Sequence, residues 1–172
     1  SVQQEIAAYG DWDAQLLEIH AGQLDLIQNN ENVQTIMVKG DNQTALLPAA
    51  SGLPYLLIQN CDGAYWGGMR EKNLILRGRV PQAPGEIVVG KSFFEQNPSV
   101  EIGDRLNLDL GERRKGNTTV DFLSPIQSGE EFVKTGKVQY TIVGEIDMTV
   151  SSAYNGYPAY GWLDTTALSE DT

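Results

Sequence analysis

Polar and apolar residues alternate most regularly over residues 137–148. There Val138, Tyr140, Ile142, Gly144 and Ile146 share one side, and Gln139, Thr141, Val143 and Glu145 the other. A period of two over that length predicts a strand with one buried face. The same reading predicts shorter strands at 86–89 and 105–110, the latter with Leu106, Leu108 and Leu110 in phase. Between them, residues 91–96 have the length of one or two helical turns, and Asn97-Pro98 breaks them. Residues 111–118 are polar and basic, which predicts an exposed hairpin tip. Val120 and Phe122 follow on a short strand, 124–131 is a loop rich in turn residues, and 160–163 is a last strand. Asp164 is placed to cap a final helical turn.

The first third of the chain has a different rhythm. Val2, Ile6 and Tyr9 fall at helical spacing before Gly10, so 1–9 is expected to be a short helix. Residues 14–20 are apolar and bounded by glycines, which predicts a strand. Residues 21–30 predict a helix with Leu24 and Ile27 on one face. The β-branched run 33–38 predicts a second strand, Gly40-Asp41-Asn42 a turn, and 44–47 and 55–58 two further strands. Strand, helix, strand, strand is half of a ferredoxin-like layer. From Asn60 the composition shifts to many short strands. The expected architecture is therefore α+β, with three divisions: an α/β layer over 1–59, a small β-rich part over 60–150, and a return segment over 151–172.

The chain has 172 residues, enough for a sizeable core without covalent staples. Its formal net charge is −11, which argues against nucleic acid as a partner and against lying on an anionic membrane surface. Cys61 is the single cysteine, so no intramolecular disulfide forms. No apolar run approaches the roughly 20 residues of a membrane span.

The candidate chemistry is sparse. His20 is the single histidine and has no metal-ligand neighbour in sequence, and Cys61 has no other histidine for a partner. Asp11 and Asp13 flank Trp12. Asp41, Asp62, Glu101, Asp104, Glu130 and Glu131 fall in turns, where carboxylates commonly serve the local backbone. No calcium loop, phosphate cradle or serine elbow is present. No cofactor is expected. Tyr65, Trp66, Tyr154 and Tyr157 fall in segments that look like exposed loops, and Tyr and Trp are enriched at protein interfaces. These four are the candidate partner contacts.

A resemblance adds to this. Gly78-Arg79-x-Pro81 followed by Glu86-Ile87-Val88-Val89, then Ile102-Gly103-Asp104, then Tyr140-Thr141-Ile142-Val143-Gly144-Glu145, resembles the extracytoplasmic domain of FtsX-like and MacB-like ABC transporter permeases. The opening Tyr9-Gly10-Asp11-Trp12-Asp13-Ala14 is similar to the start of that domain in Gram-positive members. The resemblance covers most of the chain. It implies a porter-like α/β layer subdomain with a small β-rich subdomain inserted in it. It further implies a non-enzymatic ectodomain between two membrane helices, on the outer side of the cell membrane. A cytoplasmic ATPase, a second permease copy, and a substrate or extracytoplasmic protein would be its partners. The family moves or extracts lipoproteins, peptides and antibiotics, or transmits ATP-driven motion outward. The family's second strand-helix-strand segment is not visible before Thr172. It is either absent or lies beyond that residue. On this reading Arg77, Arg79 and Glu86 hold turns in place. The main rival is a secreted or surface-anchored module binding a peptide or glycan. A small hydrolase using Asp11, Asp13 and Asp62 is a third reading.

Overall fold

A computed structural model describes residues 16, 19–68, 74–148 and 155–167. The strand with the clearest alternation is also the longest. It spans Glu131–Ile146 (β7), and seven others surround it: Lys39–Leu46 (β1), Tyr55–Cys61 (β2), Ile75–Gly78 (β3), Glu86–Gly90 (β4), Arg105–Lys115 (β5), Thr118–Thr119 (β6) and Gly156–Trp162 (β8). The helices are Ala21–Gln28 (α1), Gly63–Gly68 (α2) and Lys91–Gln96 (α3). The strands lie in the order β3-β7-β4-β8-β2-β1-β5-β6, and β5 also pairs with β7. That extra pairing closes β7, β4, β8, β2, β1 and β5 into a six-stranded barrel.

The closed ring corrects the fold expected from the sequence. The chain is mostly β and does not build a porter-like α/β layer. Residues 33–38, expected to be a strand, carry no ladder. The strand starts later, at Lys39, and runs straight through Gly40-Asp41-Asn42. Those residues form no turn. They accommodate a register shift against β2, which pairs Lys39 with Cys61 and Asn42 with Gln59. Residues 16, 19 and 20 are not in a strand. The rest of the expected strand over 14–20, and the helix over 1–9, lie outside the described residues.

The core is legible in the alternation. Leu56 and Ile58, Ile87 and Val89, Tyr140 and Ile142, and Tyr157 and Ala159 point into the barrel from four strands. Burying an aliphatic or aromatic side chain is worth roughly 1.5–3 kcal/mol, so the lining dominates the stability. Residues Val88, Val143, Ile146 and Cys61 point outward into a second apolar cluster that α2 covers with Tyr65 and Trp66. A bulge in β7 changes its phase. Ile87 pairs with Ile142 but Val88 with Gly144, so Val143 is the extra residue. Ile142 therefore faces the barrel and Ile146 the outer cluster. One uniform face over 138–146 was expected, and this bulge is why it is not found.

The two ends of the barrel differ. One is closed by α3, whose Phe93 meets the Tyr157 ring edge-on at 5.3 Å. The Tyr157 hydroxyl donates to the Ser51 carbonyl at 2.7 Å and accepts from Leu53 N–H at 3.3 Å. Asn97 donates to the same Ser51 carbonyl at 3.1 Å and to Phe93 at 2.9 Å, which stops α3. The other end is polar. Here Tyr140 and Asn60 both reach Gln43 Oε1, at 3.3 and 3.4 Å. Burial pushes the Tyr140 phenol above its ordinary range.

Candidate functional site

The motifs behind the resemblance converge on residues 141–146 of β7. Arg79 N–H donates to the Val143 carbonyl at 3.0 Å, Gly103 N–H to Ile142 at 2.7 Å, and Ile142 N–H to Asp104 at 2.9 Å. Gly78 has φ of 74°, and a Cβ there would collide with the Val143 carbonyl oxygen. Glycine alone fits both conditions. Two ion pairs clip the neighbouring strands together: Arg77 with Glu145, and Arg79 Nη1 with Glu86 Oε2 at 2.5 Å. Both arginines are about half exposed, so each pair contributes at most about 1 kcal/mol. Their role is to fix how three strands cross. None of the convergent groups is a nucleophile or a general base poised over a cleft.

The candidate contact residues lie elsewhere than expected. Tyr65, Trp66 and Tyr157 are 1, 3 and 1 % exposed, so burial leaves their side chains no surface to offer a partner. Asp62-Gly63 reads as a turn, but Asp62 Oδ1 accepts from Tyr65 N–H at 2.8 Å and starts α2 instead. That helix turns both aromatics inward. Trp66 Nε1 then donates to the Gly161 carbonyl at 3.1 Å, and Tyr160 meets the indole edge-on at 6.3 Å. Tyr157 lies on β8, inside the segment expected to be a loop. Tyr154 is outside the described residues.

A buried charged cluster has no local signature in the sequence. β5 continues five residues past Leu110, and its register with β7 shifts between Leu110 and Gly111. A Cβ on Gly111 would collide with the Val133 carbonyl and the Phe132 ring, so the ribbon turns tightly here. The turn carries Phe132 onto Tyr55 of β2, with ring centroids 5.8 Å apart, and Arg113 over the same Tyr55 at 5.3 Å. Arg113 and Glu130 side chains are 1 and 4 % exposed. Hydrogen bonding from Arg113 holds the Glu130 carboxyl below the usual carboxylate range, against the opposing effect of its burial. Burial raises the Tyr55 phenol, and the nearby Glu130 charge adds to that. Arg113 falls in a stretch that reads as an exposed basic tip, and its partner is 17 residues away. No local pattern links them. The exposed tip itself is shorter, at Gly116-Asn117.

The remaining carboxylates serve local backbone. Asp104 Oδ2 accepts from Glu101 N–H at 2.9 Å, and Asp164 Oδ1 from Thr166 N–H at 3.0 Å, the cap expected for the last turn. Asp11 and Asp13 are outside the described residues. His20 is exposed at the start of α1, and Cys61 is fully buried in the outer apolar cluster. Among the described residues no group of three His, Cys, Asp or Glu side chains is arranged to hold a metal ion. No helix among them is long and apolar enough to cross a membrane. No family model matches the chain, and no curated protein matches its sequence.

Proposed function

We propose that this chain is a non-catalytic extracytoplasmic module of an FtsX-like or MacB-like ABC transporter permease, moved as a body by its membrane helices and a cytoplasmic ATPase. The observation that carries the reading is where the polypeptide joins the barrel. Asp62 N–H donates to the Val38 carbonyl at 3.0 Å, and Leu163 N–H to the Cys61 carbonyl at 2.8 Å. The segment leading into β1 and the segment leaving β8 therefore flank the end of one strand, β2. Two strand spacings separate them, about 10 Å. A body joined in this way can hang from two adjacent helices, and a displacement of either helix reaches it through β1 or β8. Support also comes from the order of the four motifs and their meeting at β7, where a glycine with no room for a side chain and two ion pairs fix the strand crossing.

The test uses the intact parent polypeptide with an epitope inserted at Gly116, an exposed turn position with open space around it. Cells are fractionated and treated with external protease. A membrane-bound protein that loses the epitope to the protease supports the reading. A soluble or released protein, or a protected epitope, overturns it and moves the weight to a free peptide- or glycan-binding module.

A further inference from the structure

Asn155-Gly156 is the single Asn-Gly pair in the chain. Its glycine is imposed by packing. Gly156 opens β8, pairs with Tyr55 in the parallel ladder to β2, and is buried. A Cβ there would meet the Tyr55 carbonyl oxygen and the Leu57 side chain, each at 2.7 Å. The asparagine is held from the other side. Its Nδ2 donates to the Ser124 carbonyl at 2.6 Å. A carbonyl can only accept, so the amide nitrogen fits there and the amide oxygen does not. Arg113 Nη1 donates to the same carbonyl at 2.8 Å. Arg113 also reaches the Pro125 and Asp121 carbonyls, at 3.1 and 3.4 Å, and both Glu130 oxygens. Residues 121–130 thus form a strap, and the Arg113 latch that fastens it also positions the acceptor for Asn155.

We propose that Asn155 is a site of spontaneous deamidation, and that the strap is its gate. An asparagine before glycine is especially reactive, because the glycine nitrogen has no neighbouring side chain to hinder its attack and its backbone turns freely. The Gly156 nitrogen gives up its proton to water or hydroxide and attacks Asn155 Cγ. The new C–N bond closes a five-membered succinimide. The Cγ–Nδ2 bond breaks, and Nδ2 takes a proton from water and leaves as ammonia. Water then opens the ring at either carbonyl, giving aspartate or isoaspartate. Ring closure needs the carboxamide to turn away from Ser124 and Gly156 to shift in the β2 ladder. The fastened strap opposes both movements. The product cannot restore the contact, because a carboxylate has no proton to offer the Ser124 carbonyl. Isoaspartate also adds a main-chain atom just before β8. Each event therefore records an opening of the strap and removes its tie to residue 155. The inference rests on this contact and does not depend on the transporter reading.

The experiment follows residue 155 by peptide mapping and isoaspartate content in the full chain, held in warm, mildly alkaline buffer. The folded protein should convert at least tenfold more slowly than the same chain unfolded in urea. Below the unfolding transition the rate should hardly change with urea, because opening the strap exposes little surface. Arg113→Met combined with Glu130→Leu keeps no buried charge but loses the carbonyl contacts, and should convert at least tenfold faster than the folded wild type. Equal rates in the folded and unfolded chains overturn the inference, since nothing then gates the reaction. A rate that climbs with urea in step with global unfolding overturns it, as does a folded chain that does not convert at all. An unchanged rate in a folded double variant overturns it too. The urea series decides the matter even where the double variant fails to fold.

Discussion

Arg113 and Glu130 form a two-pronged ion pair in which the arginine has no donor to spare. Its Nε and Nη2 donate to the two Glu130 oxygens at 2.8 and 3.0 Å. The other three N–H groups reach the carbonyls of Ser124 at 2.8 Å, Pro125 at 3.1 Å and Asp121 at 3.4 Å. A guanidinium has five N–H donors, and all are used. Glu130 in turn accepts from Gln127 N–H at 2.8 Å. One side chain thus fastens residues 121–130 over the outer face of β2.

Breaking the pair from one side strands the other charge. Glu130→Gln or Arg113→Ala should each cost about 3–5 kcal/mol, measured by urea unfolding. Arg113→Met combined with Glu130→Leu should recover much of that loss, because no buried charge remains. A double variant as unstable as the sum of the singles would mean that the carbonyl contacts of Arg113, rather than the charge pair, hold the loop.

Acid should loosen the same loop. The folded state depresses the Glu130 carboxyl, so its contribution is fully present above the ordinary carboxylate range. It fades as the pH falls through that range toward the lower folded value. Thermal unfolding followed from neutral pH down to about pH 3 should show a drop that is shallower in Glu130→Gln. Parallel curves would remove Glu130 from the account.

Gly78 and Gly116 both have positive φ, 74° and 60°, but differ in their surroundings. Gly116→Ala pays only the left-handed backbone penalty, about 1 kcal/mol. Gly78→Ala adds the collision with Val143 and should cost several times more in a melting comparison. Equal losses would show that the β3–β7 crossing can relax around a methyl group.

Tyr157 should behave as a structural residue. Tyr157→Phe removes the donor to Ser51 and the acceptor for Leu53, at a cost of about 1–3 kcal/mol. If the proposed partner binding exists, Tyr157→Phe should leave it unchanged in a pull-down once stability is matched by temperature. Loss of binding without loss of stability would return this residue to the surface role read from the sequence.

Much of the local structure was legible because it depends on neighbours in sequence. The helix at Lys91–Gln96 ends where Asn97-Pro98 says it should, and the strand at Glu86–Gly90 follows its unbroken apolar run. What could not be read depends on distant pairing. Nothing near Tyr157 shows that its hydroxyl meets Ser51, 106 positions earlier. Nothing near Asp62 separates a turn from a helix cap until Tyr65 and Trp66 have an apolar cluster to enter. The run 33–38 has the composition of a strand but no ladder to join. The resemblance carried an expectation of layers, whereas the pairing of β5 with β7 makes a ring.

The position of β8 in that ring also sets an order in time. Among the described strands Gly156–Trp162 follows the other seven in sequence, and it alone lies between β2 and β4. Until it emerges, the strands before it can form only an open sheet, β2-β1-β5-β7-β4, with unpaired backbone along both outer strands. Such margins stick to other chains. The nascent polypeptide is therefore most vulnerable between the synthesis of β7 and that of β8, and a chaperone guarding it would have to hold β2 and β4 apart from other chains until β8 slots in.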